Sequence, residues 1–205
     1  PIVLNDVPSD QVASQIFEGL YAYDEGTGHV PQLAAGEPEV SSDGTQYVVE
    51  IEEDATFQNG DTVTAEDVAY SFMQTRREET ENANEITMVD SIEAVDEKTA
   101  QFNLKYPYAP FMNTLHRSIV PKSVREEDRE AFNTSEPVGS GPFEFVDWTE
   151  GEFVDLEIYG LLRDEPLLGP PLKGGDLHLE PQLEFALLGP DSIELRTRIT
   201  ADHEI

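Results

Sequence analysis

Residues 57–72 read Phe57-Gln58-Asn59-Gly60-Asp61-Thr62-Val63-Thr64-Ala65-Glu66-Asp67-Val68-Ala69-Tyr70-Ser71-Phe72. Asn59-Gly60-Asp61 has turn chemistry: Gly tolerates positive φ, and short Asn and Asp side chains bond the nearby backbone. Thr64-Ala65-Glu66-Asp67 has the form of a capping box, in which a hydroxyl and an acid three residues apart satisfy each other's backbone N–H groups. Val68, Phe72 and Met73 then recur at helical spacing and predict a helix through about Arg76.

Upstream, Ser42-Asp43-Gly44 is a hairpin signal between Glu39-Val40 and a strand from Gln46 to Glu52, where Tyr47, Val49 and Ile51 alternate with other positions. Pro8-Ser9-Asp10 reads as a helix start with Ser9 as N-cap. Val12, Ala13, Ile16, Phe17 and Leu20 carry the apolar stripe from Ser9 to Tyr21. Gly26, Gly28 and Pro31 mark a turn. Downstream, Arg77 to Asn84 is a charged loop, Ile92 to Val95 a strand, and Asp96-Glu97-Lys98 a turn. Ala100, Phe102 and Leu104 form an alternating return strand. Tyr106 to Phe111 leads into a short helix, and Arg125 to Phe132 predicts a charged one. The Gly/Pro loop Pro137 to Pro142 precedes strands Phe143 to Val146 and Phe153 to Ile158, with Trp148 reading as core. Beyond Tyr159 the pattern is irregular through Pro166, Pro170, Pro171, Gly174 and Gly175. A strand at Leu183 to Leu188 and a helix from Asp191 follow. No repeat is visible. Strands and helices mix without strict βαβ alternation, so the fold class is α/β with α+β mixing.

The 205 residues carry 43 acidic and 12 basic side chains, a formal net charge of −31, with Lys only at 98, 105, 122 and 173. Such a surface repels itself unless salt screens it, and at molar salt the Debye length falls to roughly 3 Å. The carboxylates are spread along patterned elements, which favours adaptation to a high-salt medium over a disordered acidic tail. Nucleic acid is disfavoured as a partner, because phosphate binding needs clustered Lys and Arg. A hydrophobic share of 38% supports a packed core. No run of about 18 apolar residues is present. Pro1-Ile2-Val3-Leu4 reads as mature protein, any export signal being removed or lying outside this sequence. The absence of Cys removes disulfides, thiolate metal sites and Cys nucleophiles.

No catalytic constellation stands out. Carboxylate pairs are too common here to mark a glycosidase. His29, His116, His178 and His203 are far apart in sequence with no i, i+4 pair, so they read as surface or satisfied core residues and no metal or cofactor is expected. Gly139-Ser140-Gly141 lacks the spacing of a nucleophile elbow. Pro142 and a strand follow it, so it is no phosphate cradle either. It reads as a tight strand entry, with Ser140 a candidate at a pocket rim.

Several segments in order resemble the oligopeptide and dipeptide (family 5) solute-binding proteins of ABC importers. They are Ser14-Gln15-Ile16-Phe17-Glu18-Gly19-Leu20 with Tyr23-Asp24, Pro31-Gln32-Leu33-Ala34, and the long match from Ser42 through Phe72. Pro107-Tyr108-Ala109-Pro110-Phe111, Val120-Pro121-Lys122 and Pro137 to Phe143 with Trp148 complete the set. Two departures are Glu52-Glu53-Asp54, where the family has a basic residue and a Gly, and the missing Asn-Pro-x-Tyr-Trp beyond Tyr159. The resemblance implies a lobe of the type II periplasmic-binding-protein clamshell and a further lobe beyond Ile205. It implies capture of peptides or similar small solutes outside the cell, at the surface or in a periplasm-equivalent space, by a monomeric protein that delivers them to a membrane permease. It implies that Asn5-Asp6-Val7 meets the peptide backbone in strand-like fashion. The lobe is expected to comprise 1–38 and 134–205, with 39–133 an inserted subdomain. A nickel, haem or sugar ligand, or a sensory role, remains open, since fold does not fix function.

Overall fold

The computed structural model describes residues 7–23, 28–77, 86–149, 153–159, 178–189 and 192–202. The chain divides into two compact units, 1–141 and 142–205. In the first, helix α1 (Val7–Ile16) leads to a small hairpin of β1 (Tyr21–Tyr23) and β2 (His29–Pro31). Strands β3 (Glu39–Val40) and β4 (Gln46–Glu50), helix α2 (Ala65–Arg77), and strands β5 (Val89–Ala94) and β6 (Thr99–Leu104) follow. They form an antiparallel sheet in the order β3-β4-β6-β5, with α2 against β5 and β6. A 3₁₀ helix, η1 (Ala109–His116), and two short helices, α3 (Lys122–Glu127) and α4 (Arg129–Thr134), complete the unit.

The sheet forms because its strands alternate. Ala100, Phe102 and Leu104 of β6 and Tyr47 and Val49 of β4 point to one buried face. α2 lays Ala65, Val68 and Phe72 onto that face, and the ring chain Phe72–Phe102–Phe111–Tyr47 packs with centroids 4.6–5.5 Å apart, edge-on except for the tilted Tyr47–Phe111 pair. Helix α2 starts where the capping box predicts. Thr64 N–H donates to Asp67 Oδ2 at 3.0 Å and Asp67 N–H donates to Thr64 Oγ1 at 3.3 Å. The other Asp67 oxygen accepts the Lys122 N–H at 2.8 Å, and the buried Ser71 Oγ accepts the Val120 N–H at 2.9 Å. The polar stripe of α2 thus anchors the chain entering α3. The turn before it uses Gly60 at φ +89°, a conformation that disfavours any side chain.

Four expectations change. α1 runs Val7–Ile16 rather than Ser9 to Tyr21, and it stops because Ile16 C=O accepts the Gly141 N–H at 2.8 Å while the chain turns toward β1. The single charged helix from Arg125 is two helices, split by Asp128. That residue sits in extended backbone, φ −142° and ψ 91°, and its carboxylate accepts the Ala131 N–H to cap α4. The third lies in the second unit, an antiparallel meander of β7 (Phe143–Thr149), β8 (Phe153–Ile158), β9 (His178–Gly189) and β10 (Ser192–Asp202). The expected helix from Asp191 is strand β10. The alternation Ile193, Leu195, Thr197, Ile199 suits a strand, and β9 supplies its partner through the register Leu195↔Phe185. Trp148 is 49% exposed rather than core. It lies on the edge strand β7, just past a bulge between Phe145 and Asp147. The irregular stretch from Pro166 to Gly175 and the loop from residue 78 lie outside the described residues.

Candidate functional site

The segment Phe17-Glu18-Gly19-Leu20, between α1 and β1, is where distant parts of the first unit converge. The loop 139–141 lies against the end of α1 so closely that a Cβ on Gly139 would sit 1.9 Å from the Ile16 carbonyl oxygen. Gln58 fixes the loop from the other side. Its backbone N–H donates to Gly139 C=O at 2.8 Å and its side-chain amide to Gly141 C=O at 3.0 Å, while its Oε1 accepts the Gly139 N–H at 3.0 Å. On a further side, Glu18 C=O accepts the Ile119 N–H at 2.8 Å, which brings the end of η1 alongside. Gly19 allows this approach, since a Cβ there would meet the His116 carbonyl oxygen at 2.6 Å.

Ser140 stands in this loop with its Oγ buried and without a well-formed hydrogen bond. The half-buried Glu18 carboxyl interacts with it. Burial raises the Glu18 pKa above the ordinary carboxylate value, and the Ser140 hydroxyl only partly offsets that. Of the other residues expected at a ligand, Asn5 and Asp6 lie outside the described residues, and Val7 is the first residue of α1.

Two histidines that read as unrelated in sequence are brought together. Cross-strand pairing sets Tyr23 beside His29, and the last residue of η1 presents His116 to both. His29 Nδ1 and His116 Nε2 are hydrogen-bonded at 2.6 Å. The Tyr23 ring packs on His116 at a 40° tilt with centroids 3.7 Å apart. Burial, and then the neighbouring His29, hold the His116 pKa below its usual value. No local signal announces this pair, because it depends on how η1 returns to the hairpin.

A shallow cleft of about 360 Å³ is lined by Thr64, Glu66, Asp67, Lys122, Ser123 and Glu126. Of these, Thr64 and Asp67 are committed to the α2 cap, and Lys122 and Glu66 to an ion pair at 3.2 Å. Among the described residues no group of three or more His, Asp or Glu is placed to hold a metal ion, and no helix is long and apolar enough to cross a membrane.

Residues 28–159 match the family described as bacterial extracellular solute-binding proteins, family 5, middle region. This chain belongs to that family. Protein XP55 of Streptomyces lividans is 38% identical over 144 residues, covering 68% of this chain and 26% of that protein. The glutathione-binding protein GsiB of Pectobacterium atrosepticum is 31% identical over 164 residues, covering 77% and 31%. Among solved structures, the Bacillus subtilis oligopeptide-binding protein AppA in complex with a nonapeptide superposes with a TM-score of 0.70 at 28% identity, over 77% of this chain and 33% of that one. The family 5 chain thus spans about a third of the length of its relatives. Its mixed helix-and-sheet architecture is that of type II periplasmic binding proteins, as the element pattern and the resemblance led us to expect.

Proposed function

We propose that this chain is part of the solute-binding component of an ABC importer, capturing peptides or similar small solutes outside the cell and handing them to the membrane permease. The observation that carries this reading is the match of residues 28–159 to family 5, together with the superposition on a relative that holds a nonapeptide. The role is binding rather than catalysis, by a monomer. In this reading 1–38 and 134–205 make one lobe of a clamshell and 39–133 an inserted subdomain that walls the cleft. Asn5, Asp6 and Val7 meet the peptide main chain, where backbone hydrogen bonds supply affinity and side-chain pockets supply selectivity. Ser140 lies at the rim. The ligands of these two relatives, glutathione and a nonapeptide, differ in size, so peptide length is the variable to test. Calorimetric titration of defined peptides, from dipeptides to nonapeptides, into this chain extended by the second lobe its relatives carry should show saturable binding. Absence of heat with every peptide would overturn the reading.

A further inference from the structure

We propose that His29 and His116 form a binding site for a divalent transition metal ion that accepts ligands at right angles, Ni²⁺ or Cu²⁺. The site uses none of the residues proposed above to meet a peptide, and it does not depend on that reading.

The geometry of the pair carries the argument. Two imidazole nitrogens bound cis to one metal at about 2.05 Å and 90° are about 2.9 Å apart, so the observed 2.6 Å must open by about 0.3 Å while each ring turns its lone pair off the N–N line toward the ion. A tetrahedral ion such as Zn²⁺ would need about 3.4 Å, an opening of about 0.8 Å. Metal would take the place of the hydrogen-bonded proton, which moves through solvent to the other nitrogen of the same ring, and solvent would fill the remaining positions. The rings meet nearly edge-on, 78° apart with centroids at 4.9 Å, so the two nitrogens converge without the ring planes stacking.

Both backbones are held before any ion arrives. His29 is fixed by the β1–β2 register and by the Gln32 and Ala34 N–H groups bonded to Leu20 C=O at 3.0 and 3.1 Å. His116 is fixed by the close approach to Gly19 and by the Ile119 N–H on Glu18 C=O. Tyr23, packed on His116 at a 40° tilt, limits that ring's rotation. Both histidines are only half-buried, so solvent reaches them. A net charge of −31 enriches dications near the surface.

The same acidic surface binds dications weakly, so the test separates the two. NiCl₂, CuCl₂ and ZnCl₂, each alone, are titrated calorimetrically into the 205-residue protein in molar NaCl, which screens scattered carboxylates. The proposal expects one saturable site with Ni²⁺ bound more tightly than Zn²⁺. His29→Gln and His116→Gln should each weaken Ni²⁺ binding by about tenfold or more, and the combined His178→Gln and His203→Gln variant should leave it unchanged. In the wild-type protein, imidazole ¹⁵N–¹H spectra should show substoichiometric Ni²⁺ broadening the His29 and His116 resonances together, which keeps the test valid if a variant fails to fold. Heat that never saturates, Zn²⁺ bound more tightly than Ni²⁺, or broadening confined to His178 and His203 would each overturn the assignment.

Discussion

Glu18 and Gly139 show what single residues contribute at the end of α1. Glu18 is raised by burial, and a carboxyl whose pKa rises on folding stabilises the fold below its unfolded value, giving that contribution up as pH climbs through the folded one. Wild-type stability should therefore decline as pH rises above 4.5 through the folded Glu18 value. Glu18→Gln should remove that part of the decline and melt higher at pH 7. A Glu18→Gln protein less stable than wild type at neutral pH would mean that the charge itself is needed. Gly139 has no such latitude. A methyl 1.9 Å from the Ile16 oxygen has to displace either the loop or the helix end, so Gly139→Ala should cost about 3 kcal/mol in urea unfolding. Gly36→Ala, with nothing within 4 Å of the new methyl, should stay within about 0.5 kcal/mol of wild type.

At the level of elements, the N-terminus of α2 is a junction as well as a cap. Asp67 uses one carboxylate oxygen on the Thr64 N–H and hydroxyl and the other on the Lys122 N–H. Losing the Thr64 hydroxyl leaves the Asp67 N–H without its cap and removes one donor from the carboxylate. Thr64→Ala should lose about 1 kcal/mol and Thr64→Ser should be near neutral, as read from thermal or urea unfolding. Equal stability of all three proteins would show that solvent satisfies this helix end equally well. The break at Asp128 follows the same logic in reverse. An Asp placed to cap a following helix competes with continuation of the preceding one, so six-residue α3 and α4 replace one longer helix.

For the whole molecule, two consequences follow from charge and extent. With −31 formal charges on 205 residues, self-repulsion opposes the compact state at low ionic strength and fades as salt screens it. The midpoint of thermal unfolding should climb strongly between low and molar KCl. A midpoint flat across that range would remove the high-salt reading. A clamshell draws much of its affinity from enclosing and desolvating the ligand on both sides. On the proposed function, the 205-residue chain alone should bind peptides only in the millimolar range, about −4 kcal/mol, and the chain extended by a second lobe far more tightly. Micromolar affinity for the 205 residues alone, measured by calorimetry, would place the whole site within them and remove the two-lobe account.

What the amino-acid sequence determined by itself was local. The Asn59-Gly60-Asp61 turn, the Thr64–Asp67 box and the alternation of β4 and β6 each rest on residues within a few positions of one another, where steric and hydrogen-bond preferences act without help from the rest of the chain. The family, too, was legible, because its segments keep their order and their turn chemistry. Only the tertiary structure decided the rest. α1 ends at Ile16 because Gly141, more than a hundred positions later, takes its carbonyl. β10 extends as a strand because β9 offers a partner register. Glu18 meets Ser140, and His29 meets His116 across 87 positions. Contacts of that separation depend on how sheet, 3₁₀ helix and loop close on one another, and no periodicity along the chain encodes which two side chains that closure sets face to face.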